Sequence, residues 1–131
     1  MSAEITESIN ATKTILVVDD FDDTRLLLRT WLQKKGYRVV EAANGNQAIA
    51  ETESCRPDLI IMDVEMPELD GIAATRQIRT LADPEELPIV IVSAYAAEQF
   101  RDEALAAGCN EFVSTPFEPD KLEGLIDSLI K

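Results

Sequence analysis

Histidine is absent from the 131-residue chain. That gap alone removes imidazole metal ligands, His-based nucleophile triads and histidine phosphocarriers. Basic residues are few, 12 against 25 acidic ones, and they form no cluster. A surface for nucleic acid or for an anionic membrane needs local positive charge, so the balance argues against both and toward a protein partner or a cation. Long apolar runs are also missing. The longest, such as Ile89 to Val92, hold four or five residues, whereas a membrane-spanning helix needs about 20. The N-terminus MSAEITESIN shows no basic segment followed by an apolar one, so no export signal is read there and a soluble, cytoplasmic protein is expected. Cys55 and Cys109 are the only cysteines, far apart and in no CxxC or metal-type spacing. Two reduced thiols are the expectation.

What is present is enough for one domain with a real core, since 46% of the residues are hydrophobic and the length suits a single compact unit. Residues 1–12 are polar and aperiodic and are expected to form a loose arm, with one domain over residues 13–131. From Lys13 onward, short β-branched runs alternate with amphipathic stretches. TILVV (14–18), YRVVEA (37–42), LIIM (59–62), PIVIVS (88–93) and EFVS (111–114) read as strands. Between them lie helical patterns over Asp22 to Lys35, Gly45 to Glu53, Gly71 to Leu81, Ala97 to Ala107 and Pro119 to Ile130. The first helix is read with Leu26, Leu27, Trp31 and Leu32 on its apolar face, the last with Leu122, Leu125, Ile126 and Leu129. Gly36 and Gly108 stand where C-terminal caps are expected. Several strands are apolar throughout rather than alternating, which implies burial on both faces. Five such β-α units predict a parallel, doubly wound α/β sheet with helices on both sides.

In sheets of this kind the site lies beyond the carboxyl ends of the strands. The first strand runs into DDFDD (Asp19, Asp20, Asp22, Asp23), the third into Asp63, the fourth into Ser93 and Ala94, and the fifth into Ser114-Thr115-Pro116. Asp22 and Asp23 read as helix N-cap and first-turn acids. Asp19, Asp20 and Asp63 have no such structural use, and buried apolar strands would deliver all three to one edge. Carboxylates that close repel and rise in pKa unless a cation sits among them. Oxygen-only ligands suit Mg²⁺, which is commonly held by one or two carboxylates and keeps several waters. A metal-bound carboxylate at a strand end can also attack a phosphoryl group to give an acyl phosphate.

The stretches ILVVDDFDDTRLLL, PDLIIMDVEMPELDG, PIVIVSA and FVSTPFEPDKL together resemble the signatures of the receiver domain of two-component response regulators, in order and correctly spaced over roughly Lys13 to Lys131. The resemblance implies a flavodoxin-like (βα)5 three-layer sandwich with strand order 2-1-3-4-5. It implies that Asp63 is the phosphoacceptor for a sensor histidine kinase or phosphotransfer protein. Asp20 matches a direct Mg²⁺ ligand, Asp19 an acid that holds the ion through water, and Glu65 the position whose backbone carbonyl completes the shell. Ser93 matches the hydroxyl that moves to the new phosphoryl oxygen, Ala94 its small neighbour, and Phe112 the aromatic switch, although a plain core aromatic is an equally good reading of Phe112. One position departs from the pattern. The family places a lysine before the proline, and this chain has Thr115, which can donate a hydrogen bond but no charge. The resemblance also makes Thr115-Pro116 a candidate cis peptide.

Because the sequence ends with the fifth helical pattern, a single-domain receiver that signals by protein contact is expected, through the face of the fourth helix, fifth strand and fifth helix. Glu118, Asp120, Glu123 and Asp127 either meet a basic partner there or form a solvated face. Two other readings stay open: a degenerate receiver that binds its partner without phosphorylation, and a Mg²⁺-dependent aspartyl-phosphate hydrolase with Glu65 as general acid. Against the second, the paired acids and the MPELDG turn fit a receiver better, and no enzyme activity beyond self-phosphorylation and dephosphorylation is expected.

Overall fold

The computed structural model describes residues 13–66, 69–93, 98–114 and 118–130. The elements alternate as β1 (Thr14–Val18), α1 (Asp22–Lys34), β2 (Arg38–Ala42), α2 (Gly45–Cys55), β3 (Leu59–Asp63), α3 (Gly71–Ile78), β4 (Ile89–Ser93), α4 (Glu98–Ala107), β5 (Glu111–Ser114) and α5 (Pro119–Leu129). All strand pairs are parallel, in the order β2-β1-β3-β4-β5, as expected.

β1 is buried along its whole length, and β3 is buried up to Met62. Leu16, Val18, Ile60, Met62, Ile89 and Ile91 face one layer, where Ala48, Ile72, Ile78 and Ala104 bring in α2, α3 and α4. Ile15, Val17, Leu59, Ile61, Val90 and Val113 face the other, closed by Leu32 of α1 with Leu122 and Ile126 of α5. Successive strand residues point to opposite faces, so strands covered on both sides must be apolar without alternation. The same geometry carries the residues after β1 and β3 to one edge.

Several local expectations are corrected. Leu26 and Leu27 are 50% and 71% exposed, and Leu28 instead packs with Trp31 and Leu32 against the sheet. Three consecutive leucines span most of a helix circumference, so their spacing alone cannot choose the buried one. Asp22 is not the N-cap of α1. Phe21 holds that position with no side-chain cap bond, leaving Asp22 and Asp23 in the first turn. α3 ends at Ile78, not Leu81, because Thr80 and Leu81 turn to i−3 bonds with Gln77 and Ile78 at 3.1 and 2.8 Å. β2 starts at Arg38, β3 runs on to include Asp63, β4 starts at Ile89, and α2 continues to Cys55. On α5, Glu123 pairs with Lys35 at 2.9 Å and Asp127 accepts a long bond from the Tyr37 hydroxyl. Glu118 and Asp120 remain exposed.

Gly36 and Gly108 close their helices at φ 98° and 114°, the left-handed conformation that a glycine cap supplies. Cys55 is exposed, Cys109 is buried, and both are free. Among the described residues, no helix is long and apolar enough to cross a membrane.

Candidate functional site

Asp19, Asp20 and Asp63 meet at the carboxyl edge of the sheet. Each offers one oxygen, and the three oxygens lie within 4.8 Å of one another. The sheet register explains the meeting, because Val18 pairs with Met62, so the residues that follow leave adjacent strands at one height. Asp19 is anchored by its own amide, which donates to the Ala42 carbonyl at 3.1 Å. Its carboxylate accepts the Phe21 amide at 2.9 Å, which ties the turn into α1. Asp20 is exposed.

The electrostatics of the cluster are unbalanced. Burial pushes the Asp63 carboxyl up to about 7, and the Asp19 charge adds to the rise. Amide bonds from Glu65 and Val64 oppose it. Asp19 is also raised, first by burial. Carboxylates in this state favour a cation that can sit among them. A hard-oxygen donor set with open neighbouring space fits Mg²⁺, which keeps part of its water shell. Such space is present: an open cavity of about 580 Å³ adjoins Asp20, with Glu65, Asp70 and Glu103 on its walls. A second, of about 410 Å³, reaches Asp19 and Asp63 from the α1 side past Phe21 and Leu27.

Ser93 ends β4 and is buried. It stands one step beyond Val92, which pairs with Asp63, and it is itself paired with Ser114 of β5. Glu65 is exposed at the rim. Phe112 is buried at 4% exposure in the core on the α3–α4 side, and the Arg101 guanidinium of α4 lies 5.3 Å from its ring centre. That cation–π contact is partly exposed, so Arg101→Ala is expected to cost about 0.5–1 kcal/mol in urea unfolding; an unchanged midpoint would show that the contact contributes nothing. Ala94, Thr115 and Pro116, expected at this edge, lie outside the described residues.

Sequence reasoning missed two contributors. Arg25 reaches back from α1 to the Asp19 carbonyl at 2.6 Å. Gly71 packs against the Asp63 backbone, which leaves no room there for a side chain. For Arg25 the only hint was its place one turn after the acids. For Gly71 it was the aspartate-glycine pair that starts α3.

The chain matches the family model for the response regulator receiver domain over residues 15–127. It is 34% identical to chemotaxis protein CheY of Thermotoga maritima, over 91% of this chain and 98% of that one. It is 41% identical to an uncharacterized 14.6 kDa protein of Leptolyngbya boryana, over 86% of each. Some other curated relatives are about twice as long, and the chain spans about half of them. Among solved structures, the response regulator protein TrrA of Thermotoga maritima, in complex with Mg²⁺-BeF, superposes with a TM-score of 0.81. It is 34% identical, and the match covers 90% of this chain and 99% of TrrA.

Proposed function

Since the chain belongs to the response regulator receiver domain family, a signalling domain of two-component systems, we propose that it takes a phosphoryl group onto Asp63 from a histidine kinase or phosphotransfer protein. The observation that carries this reading is the convergence of Asp19, Asp20 and Asp63 within 4.8 Å at the end of an otherwise apolar strand. Asp19 and Asp20, with Asp63 and the backbone carbonyl of Glu65, would hold Mg²⁺. When bound, the ion would offset the charge of both the carboxylate and the incoming phosphoryl group.

Asp63 is the nucleophile. One of its oxygens forms the bond to phosphorus as the bond from phosphorus to the donor's imidazole nitrogen breaks; that nitrogen keeps the electron pair, and with the proton carried on the ring's other nitrogen the donor histidine is left neutral. The desolvation that raises the Asp63 pKa also strips water from the attacking oxygen. Ser93, buried at the end of the neighbouring strand, supplies the hydroxyl that would meet the phosphoryl oxygen, and Phe112 transmits the shift. The output surface is the face of α4, β5 and α5. Phe21, Leu26 and Leu27, exposed on the α1 side of the acids, offer an apolar seat for the phosphodonor protein.

Incubation with a small acyl phosphate and Mg²⁺, followed by intact mass, tests the reading. The unsubstituted chain is expected to gain one phosphoryl group and Asp63→Asn none; an unmodified wild-type chain would sink it. Thr115 favours a second reading, a receiver whose acids persist while phosphorylation is lost. That reading holds if Thr115→Lys is modified and the wild-type chain is not.

A further inference from the structure

Resting on the metal-dependent site just proposed, we infer that Arg25 is a positioning residue for its carboxylates: it clamps the β1–α1 turn that presents Asp19 and Asp20. The guanidinium makes three contacts on three pieces of chain. Nη1 donates to the backbone carbonyl of Asp19 at 2.6 Å. Nε donates to Glu41 of β2 at 3.3 Å, and Nη2 pairs with Asp22 in the first turn of α1. Its side chain is only 16% exposed, and the bonds to Asp19 and Glu41 are part-buried, while the Asp22 carboxylate stays open to solvent.

The turn needs such a clamp. Phe21, the N-cap of α1, has no side-chain oxygen to bind the free amides of the first turn. Glu41 makes a fixed anchor. It sits in β2 next to Ala42, whose carbonyl takes the Asp19 amide, and its second carboxylate oxygen receives Arg29 at 2.7 Å. Arg25 thus fastens the end of β1 and the start of α1 to the edge strand through one planar fork. A guanidinium can hold all three directions at once, whereas an ammonium cannot match that geometry.

Position and charge predict opposite results when Arg25 is removed. A cation whose charge reaches the Asp19 carboxylate competes with a metal ion, so if its charge were what mattered, its loss would tighten Mg²⁺ binding. If Arg25 holds the turn, its loss weakens binding, because the acids must be ordered when the ion arrives. Residues that orient metal ligands typically change affinity by about 10- to 100-fold. Arg25 acts through the backbone, so about tenfold is expected here.

The test is Mg²⁺ titration calorimetry on the full chain with Arg25→Met, which keeps the stem without the charge, and Arg25→Lys, which keeps the charge without the fork. Both are expected to bind about tenfold more weakly than wild type. Lys34→Gln, which removes an exposed positive charge from the last turn of α1 but none of the contacts to Asp19, Asp22 or Glu41, is expected to bind like wild type. In metal-free protein, amide hydrogen exchange at Asp20 to Asp23 is expected to rise in both Arg25 variants while exchange in β3 is unchanged, which separates a loosened turn from a damaged fold. Wild-type binding with an undiminished Arg25→Met or Arg25→Lys would overturn the inference alone. No Mg²⁺ binding by wild type would overturn the site reading and the inference together.

Discussion

Without divalent metal, Asp63→Asn is expected to unfold about 5 to 10 °C above the wild-type chain at about pH 8, and the gap is expected to close as the pH falls toward about 4. The folded Asp63 carboxyl has its pKa raised from 3.8 to about 7, by burial first and by the Asp19 charge second. The unfolded carboxyl loses its proton near the ordinary value. Between the two values the folded chain therefore holds more protons than the unfolded chain, so stability falls as the pH rises through that window and stays low above it. An asparagine carries no such penalty. One pKa unit corresponds to about 1.4 kcal/mol, and discounting the rise by about half for the water that still reaches the group leaves about 2 kcal/mol. Asp19 is also raised by burial, but it is present in both chains, and its repulsion of Asp63 is already part of the Asp63 rise. Mg²⁺ should erase the difference in favour of the wild type, and its binding should weaken below about pH 7 with release of a proton. Thermal unfolding in a chelator across pH, beside metal titrations in buffers of different ionisation enthalpy, checks both parts. A gap that does not change with pH would refute the account.

That unstable acid cluster was legible in the sequence, and the reason is physical. A strand buried on both faces has no place for a carboxylate, so Asp63 at the end of LIIM and Asp19-Asp20 at the end of TILVV had to lie at the strand ends. Parallel pairing then made the ends neighbours. The order β2-β1-β3-β4-β5 was reached through the receiver motifs, since periodicity alone gives strands without their arrangement. What escaped was everything fixed by contacts distant in sequence. Arg79 reads as one more polar position on a helix. In the fold it is half-buried and donates to the carbonyls of Gly108, Ala82 and Leu87 and to Asn110, so it joins the end of α3 to the turns before β4 and β5. Arg25 was hidden in the same way, because its partner Glu41 lies on another strand. Charged residues of this kind become legible only once the neighbouring elements are in place.

Gly71→Ala is expected to destabilise the protein by about 3 kcal/mol, whereas the same change at Gly124 is expected to stabilise it by about 0.5–1 kcal/mol. Gly71 opens α3 just after Asp70, whose side chain caps the Ala73 amide at 2.8 Å. Its own amide donates to the Val64 carbonyl at 2.9 Å. A β-carbon there would stand 2.1 Å from the Asp63 carbonyl oxygen and 3.2 Å from the Val64 α-carbon. Both are backbone atoms, so no side-chain rotation relieves the clash. Either α3 moves off the sheet and loses the bond to Val64, or the Asp63–Val64 segment moves and takes the carboxylate away from Asp19 and Asp20. Mg²⁺ binding is therefore expected to weaken along with stability. Gly124 lies inside α5, is exposed, and has nothing within 4 Å of its would-be β-carbon, so only the backbone entropy of the unfolded chain changes. The two substitutions add the same methyl group, and opposite shifts in urea midpoint with an unchanged slope would assign the difference to the contact at Asp63. A Gly71→Ala midpoint equal to wild type would show that α3 can yield without cost, and that the position of Asp63 does not depend on that close approach.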